Sequence, residues 1–212
     1  MLVLLLLSVT VTGCFNQDTI PVYNNVDGQV LENGEPVFGA RIHFRNNYDP
    51  GGFTQQAIGD SVSISFRTNI QDVYEAGLFR YSADSSFVIF FKDTLEAGQH
   101  NIQIPDSLMS NGVYGYEVFS ETRYLGASLF LVNKPDSALI GTYPLTTTNF
   151  EGNFSLDAQK MALGQRFNFS DGNRFQITDS IQIIVEKDRQ IRAIKSVKVK
   201  PDAENFFEIT LD

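Results

Sequence analysis

The sequence has few of the residue types that carry redox, metal or nucleophilic chemistry. Its 212 residues include one Cys, two His, three Met and no Trp. A single cysteine excludes an intrachain disulfide, and two histidines with one cysteine are a poor ligand set for a metal. We therefore expect neither metal nor cofactor. A chain of this length can bury a stable core without either.

Positive charge is also scarce. Lys and Arg number 16 against 25 Asp and Glu, which gives a formal net charge of −9. Nucleic acids and anionic bilayer surfaces are bound through clustered positive charge, so this composition argues against both as electrostatic partners. The 18 Phe and 8 Tyr residues, in contrast, favour strands over helices.

Signatures of common catalytic sites are absent: there is no His-Glu-x-x-His, no Gly-x-Ser-x-Gly and no phosphate-binding loop. His43 alternates with two arginines, so we expect it on a solvated strand face, and we expect His100 to bond to backbone at a turn. The segments 49–52 and 171–173 contain several side chains with oxygen atoms, but each has fewer oxygen ligands than a calcium ion needs. Ordinary turns are expected at both segments. We expect a protein that is not an enzyme. A hydrolase with an unrecognised carboxylate pair is the remote alternative.

The first fourteen residues indicate a cellular compartment. Leu2 to Val11 is almost wholly apolar, and no charged side chain occurs before Cys14. A membrane-spanning helix needs roughly 20 apolar residues, about twice this run. A short apolar run that ends in small residues is typical of a secretory signal. Two alternatives are a translation start inside a longer hydrophobic segment and a buried apolar strand with an inert cysteine.

The run ends in Val11-Thr12-Gly13-Cys14. This resembles the lipobox of bacterial lipoprotein precursors, although the usual charged leader start is missing. The resemblance implies that residues 1–13 are a signal peptide cleaved between Gly13 and Cys14, and that Cys14 carries diacylglycerol and a further acyl chain. It implies a bacterial cell-envelope protein held on the outer membrane by its lipid, since several acyl chains anchor firmly. Residues 14–25 lack periodicity and are predicted to be a tether.

Strand signals are dense from residue 26 onward. Asn33-Gly34 lies between two strand-like runs, which predicts a hairpin whose central residues have positive φ. Ala40, Ile42 and Phe44 then alternate with polar residues, so we expect them on the buried face of a strand.

The middle of the chain continues this pattern. Residues 61–66 alternate, Phe87 to Phe91 is continuous enough to be a buried strand, and a helical turn is expected near 105–110. An Ala-Gly-x-His step and a later Gly-Val-Tyr-x-Tyr run comprise Ala97, Gly98, His100, Gly112, Val113, Tyr114 and Tyr116. This order resembles the Ig-like domain of flagellar hook capping proteins and the related sandwich of type IX secretion cargo. It implies an Ig-like β-sandwich over residues 53–135 and nothing about activity.

The two ends of the chain share a second pattern. Gly28-Gln29-Val30 and Gly39-Ala40-Arg41-Ile42 open it, and Thr148, Gly152, Phe154 and Leu156 continue it far downstream. These positions resemble the carboxypeptidase regulatory-like (transthyretin-like) sandwich, with further strands expected at 181–185, 194–199 and 206–211 and a hairpin across Asp171-Gly172. The fold expected is all-β. It has two Ig-like or prealbumin-like sandwiches, with residues 53–135 inserted in a loop of a sandwich built from 26–48 plus 140–212. Three loosely linked β units are the rival arrangement.

Three functions agree with these features. The first is a non-catalytic, lipid-anchored envelope protein whose sandwiches act as a scaffold, spacer or adhesion module for another envelope protein. The second is a glycan-binding lipoprotein that uses exposed aromatics at loop tips such as Tyr48, Phe53, Tyr124 or Tyr143. The third is the hydrolase, for which fold alone gives little support.

Overall fold

The computed structural model describes residues 21–49, 62–81, 86–168 and 174–211. The proposed leader, Gly13 and Cys14 therefore lie outside the described residues. The strands are β1 (Val26–Glu32), β2 (Glu35–Pro36), β3 (Arg41–Asp49), β4 (Val62–Thr68), β5 (Asp72–Arg80), β6 (Val88–Leu95), β7 (Gly98–Ile104), β8 (Gly112–Ser120), β9 (Tyr124–Val132), β10 (Thr146–Thr147), β11 (Asn153–Leu156), β12 (Arg166–Asn168), β13 (Arg174–Lys187), β14 (Gln190–Lys198) and β15 (Asn205–Leu211). The helices are α1 (Asp136–Leu139), α2 (Ala158–Met161) and a 3₁₀ turn (Asp106–Leu108).

The fold is all-β, as predicted, and the strands of the described residues form four sheets. Two contain only strands from the ends of the chain, in the orders β11-β1-β15 (with β2 beside β1) and β10-β3-β13-β12 (with β14 beside β13). We call these the terminal sheets. The other two, the middle sheets, contain only β4 to β9, in the orders β4-β7 and β6-β5-β8-β9. Among the described residues, no helix is long and apolar enough to cross a bilayer.

The terminal sheets bury one apolar cluster. Val26 and Val30 of β1 and Ile209 of β15 contribute from one sheet, and Ile42 and Phe44 of β3 from the other. β1 runs parallel to β15 and antiparallel to β11, so the first described strand pairs with the last. Such long-range pairing places β1 beside β15 and makes the terminal sheets depend on both strands.

The predicted Asn33-Gly34 hairpin is confirmed. Asn33 and Gly34 have φ of 55° and 84°, and Glu32 pairs with Glu35 across the turn. A left-handed conformation at both residues is what a two-residue turn of this twist requires. The hairpin predicted around residue 171 pairs as expected on its described strands, with Phe167 opposite Phe175; the turn itself lies outside the described residues.

The middle sheets bury a second apolar cluster. It joins Val62 and Ile64 of β4 to Leu78 of β5, Val118 of β8 and Phe130 of β9. Two residues of the middle sheets, Val113 of β8 and Leu131 of β9, belong instead to the apolar cluster of the terminal sheets. The middle sheets are thus packed directly on the terminal ones.

The expectation of a buried strand at Phe87 to Phe91 is wrong. β6 forms there but lies at the edge of its sheet, paired only with β5, and Phe87, Val88 and Ile89 are each more than 40% exposed. A continuous apolar run is the pattern of a strand covered on both faces. In this chain the ring of Phe87 instead lies over the backbone of Gly77, where a Cβ would come within 2.0 Å of its Cζ atom.

Candidate ligand-binding site

A cavity of about 630 Å³ lies beside the junction of the middle and terminal sheets. Its walls come from β5 and β6, the 3₁₀ turn, β8, and the segment that leads from β9 back to the terminal sheets. The lining residues are Leu78, Phe79, Arg80, Ser86, Val88, Asp106, Ser107, Leu108, Met109, Ser110, Tyr114, Lys134, Gly141, Thr142 and Tyr143. Its volume is within the range of small-molecule sites.

The first charged group in the wall is Lys134, whose side chain is 1% exposed. Its Nζ donates to Asp106 Oδ1 at 2.8 Å and to the Asp106 carbonyl at 3.3 Å. A desolvated ammonium is costly unless it is paired and hydrogen-bonded, and Asp106 provides both interactions. An ammonium has three N–H donors, so one donor of Lys134 has no acceptor among the described residues.

The second cation is Arg80, at the end of β5. Its Nη1 donates to Ser110 Oγ at 3.0 Å, and its Nη2 donates to the carbonyls of Asn111 at 2.6 Å and Lys160 at 3.3 Å. Nε is buried without a partner. No carboxylate of the described residues lies within salt-bridge distance of the guanidinium, which is held by neutral oxygens and by the rings of Phe44 and Tyr114 at 5.7 and 5.6 Å.

Burial has the largest effect on the pKa of Arg80. It lowers the pKa of the guanidinium, although the Tyr114 hydroxyl and Asp157 act in the opposite direction. An arginine nevertheless stays protonated at neutral pH. The cavity wall therefore carries two positive charges against one negative charge, since Asp106 is the only acid among the described lining residues.

The rest of the lining is largely apolar. Leu78, Phe79, Val88, Leu108 and Met109 provide hydrocarbon and aromatic surface. Tyr143, which is 86% exposed, lies at the cavity together with the hydroxyls of the lining serines and Thr142. The arrangement suits binding. A second carboxylate that could act with Asp106 in acid-base hydrolysis is absent from the described lining residues.

Asn111 joins the wall of the cavity to the terminal sheets. It is 2% exposed. Its Nδ2 donates to the Phe44 carbonyl in β3 at 2.6 Å, while its Oδ1 accepts from the Lys134 amide at 2.7 Å. One side chain thus fixes the start of β8, the middle of β3 and the segment after β9. This fixes Arg80 and Lys134 relative to each other.

The expectation that His43 is solvated is wrong. His43 is 3% exposed, and its Nε2 lies 2.9 Å from Oε2 of Glu186, which is itself buried. Arg41 Nε donates to the same oxygen at 3.2 Å. The alternation of polar and apolar residues along β3 correctly places Arg41 and His43 on the face opposite the core. The segment 133–145 covers that face, with Leu139 buried there. Burial lowers the pKa of His43, and the hydrogen bond to Glu186 opposes this only partly.

This polar cluster also supports the cavity. The Gly141 amide donates to Glu186 Oε1 at 3.2 Å, and Arg41 Nη2 donates to the Thr142 carbonyl. Gly141 and Thr142 are cavity-lining residues. The buried Glu186 carboxylate of β13 and the half-buried Arg41 guanidinium of β3 therefore hold one wall of the site.

The other predicted residues are scattered. His100 bonds to backbone as expected, with Nε2 2.9 Å from the Glu96 carbonyl. Tyr48 is not a loop-tip aromatic: it lies in β3 and packs on the terminal cluster. Tyr124 is exposed at the start of β9, and Phe53 lies outside the described residues. Tyr143 alone joins the cavity.

Sequence reasoning missed both cations of the site. Arg80 ends β5, and Lys134 stands in the Asn-Lys-Pro segment between β9 and α1, so no local motif marks either residue. A stacked pair of exposed rings was missed as well: the centroids of Phe38 and Phe150, from loops distant in sequence, are 4.2 Å apart.

The described residues contain no group of three or more His, Cys, Asp or Glu side chains that could hold a metal ion. Comparisons with protein-family models, curated proteins and solved structures returned no match.

Proposed function

We propose that this is a non-catalytic, lipid-anchored protein of the bacterial cell envelope whose β-sandwiches act as a scaffold or interaction module. The observation that carries the proposal is Val11-Thr12-Gly13-Cys14, which puts the only cysteine of the chain directly after a short apolar leader. The chemistry of the described residues agrees with a binding role. The one acid of the cavity, Asp106, is committed to Lys134.

The domain division is part of the proposal. Residues 26–48 plus 140–212 would form one sandwich, with residues 53–135 inserted as the second. Support comes from the pairing, since each sheet draws its strands either from the ends of the chain or from its middle. An insertion at a sandwich loop is tolerated because the ends of such a loop already lie close together.

The anchor is tested by producing the full chain in a bacterium together with the variants Cys14→Ser and Thr12→Ser. Thr12→Ser is the matched control, because it keeps a small residue in the motif and leaves the cysteine. The wild type and Thr12→Ser should incorporate an alkyne-labelled palmitate and sediment with membranes. Cys14→Ser should take up no label and remain an unprocessed or soluble product. If Cys14→Ser partitions and is processed like the wild type, the anchor does not exist.

A second candidate function, ligand binding, is favoured by the cavity beside Arg80 and Lys134. It combines a few charged and hydroxyl groups with a largely apolar wall, which is the usual composition of a small-molecule site.

A further inference from the structure

We infer that the cavity binds an organic carboxylate, a molecule with one anionic head on an apolar or aromatic body. The inference goes beyond the envelope role and does not depend on the lipid anchor. It rests on two observations: the cavity wall has more positive than negative charges, and its cations have more N–H donors than acceptors for them.

The charge count favours an anionic head. Arg80 and Lys134 line the cavity, and Asp106 is the only described acid there. The chain as a whole has a net charge of −9, so this positive site differs from the average of the molecule. Burial strengthens electrostatic attraction because it removes the water that would screen it.

The donor count agrees with the charge count. The three N–H groups of the Lys134 ammonium meet two acceptor atoms, both on Asp106. Arg80 has five N–H groups and makes three hydrogen bonds, all of them to neutral oxygens. Of the surplus N–H groups, Arg80 Nε is buried and the Lys134 side chain is 1% exposed. This leaves the second N–H of Arg80 Nη1 for a ligand, with Lys134 contributing its charge. A carboxylate contributes acceptors only, and it forms stronger hydrogen bonds with cationic donors than a neutral group does.

The remaining lining defines the body of the ligand. Phe79, Val88 and Leu108 present accessible apolar surface, and a body that is largely hydrocarbon or aromatic would bury it. A head without such a body, such as a free inorganic anion, would leave this surface uncovered. A neutral apolar molecule would leave the remaining Arg80 Nη1 donor unpaired and the positive charge of the wall uncompensated.

The test measures binding of 4-phenylbutyrate and of its amide, 4-phenylbutyramide, to the full chain in a non-ionic detergent at neutral pH by titration calorimetry. The two probes have the same body and differ in the charge of the head. We expect saturable binding of the acid and binding of the amide that is about tenfold to a hundredfold weaker. No saturable binding of the acid up to about 10 mM, or equal affinity for the two probes, would overturn the inference.

A pair of matched variants assigns the binding to the cavity. Ser107 is exposed, lines the cavity and makes no side-chain hydrogen bond with the described residues. Ser107→Glu would introduce a second carboxylate beside Asp106 without removing any contact of Arg80 or Lys134. Ser63→Glu, on the exposed face of β4 and away from the cavity lining, is the control. We expect about tenfold weaker binding for Ser107→Glu and an unchanged affinity for Ser63→Glu. Wild-type affinity in Ser107→Glu would contradict the assignment, and the comparison cancels any partition of the probe into detergent.

The same carboxylate chemistry could come from a free acid or from the end of a peptide. An acetylated Gly-Gly-Phe with a free carboxyl terminus separates these sources when it is compared with 4-phenylbutyrate. Tighter binding of the peptide assigns the site to chain termini, and tighter binding of 4-phenylbutyrate assigns it to free amphipathic acids. If both the peptide and 4-phenylbutyrate fail to bind, the inference is refuted.

Discussion

Replacing Asn111 by Ala should strongly destabilise the fold, because this side chain makes two buried hydrogen bonds across the junction of the sheets. The Phe44 carbonyl would lose its donor at 2.6 Å, and the Lys134 amide would lose its acceptor at 2.7 Å. Leaving a buried polar group without a partner costs about 1–3 kcal/mol. Two such groups give an expected loss of about 2–6 kcal/mol in the free energy of unfolding.

The measurement is urea unfolding followed by circular dichroism, with Asn101→Ala as the control. Asn101 is exposed in β7 and makes no side-chain hydrogen bond with the described residues, so its change should be within about 0.5 kcal/mol of zero. Asn111→Asp is a second variant: it keeps the acceptor for Lys134 but turns a carboxylate oxygen toward the Phe44 carbonyl, and should also destabilise. A loss for Asn111→Ala no larger than that of the control would refute the assigned role.

Three further predictions concern the terminal sheets. Burial lowers the native pKa of His43 below its ordinary value near 6.5, so on acidification the unfolded state takes up the proton first, and the wild type should lose stability as pH falls below about 6.5. Unfolding curves at pH 7.5 and 5.5 should show a smaller loss of stability for His43→Gln than for the wild type. Equal losses for the two proteins would contradict this prediction. Gly28→Ala should destabilise by more than about 2 kcal/mol, since the added Cβ would lie 2.4 Å from the Phe207 carbonyl oxygen, and the exposed neighbour Asp27→Ala should be nearly neutral in the same assay. Replacing residues 53–135 by a short Gly-Ser linker should leave a folded, protease-resistant remnant of lower stability, and a remnant unfolded by circular dichroism would exclude the nested division.

Local patterns in the sequence were sufficient to predict the strands and the all-β class. The Asn33-Gly34 turn and the alternation of Ala40 with Ile42 each reflect a physical requirement of a few neighbouring residues, and both agree with the structure. Phe87 to Phe91 and His43 were misjudged for a shared reason. Burial depends on what covers a strand, and the covering segment is distant in the chain.

The site was beyond such reasoning for the same physical cause. Arg80 and Lys134 come from separate strands and turns, and they line one cavity only because β5, the 3₁₀ turn and the segment after β9 meet there. A surplus of donors over acceptors is a property of three-dimensional packing, and no residue spacing along the chain encodes it.

The most direct test of the central proposal is intact-mass spectrometry of the protein purified from bacterial membranes. The account predicts a chain that begins at Cys14, lacks residues 1–13 and carries the added mass of diacylglycerol and an acyl chain on that residue. A chain with the leucine-rich leader still attached and an unmodified thiol at Cys14 would contradict it.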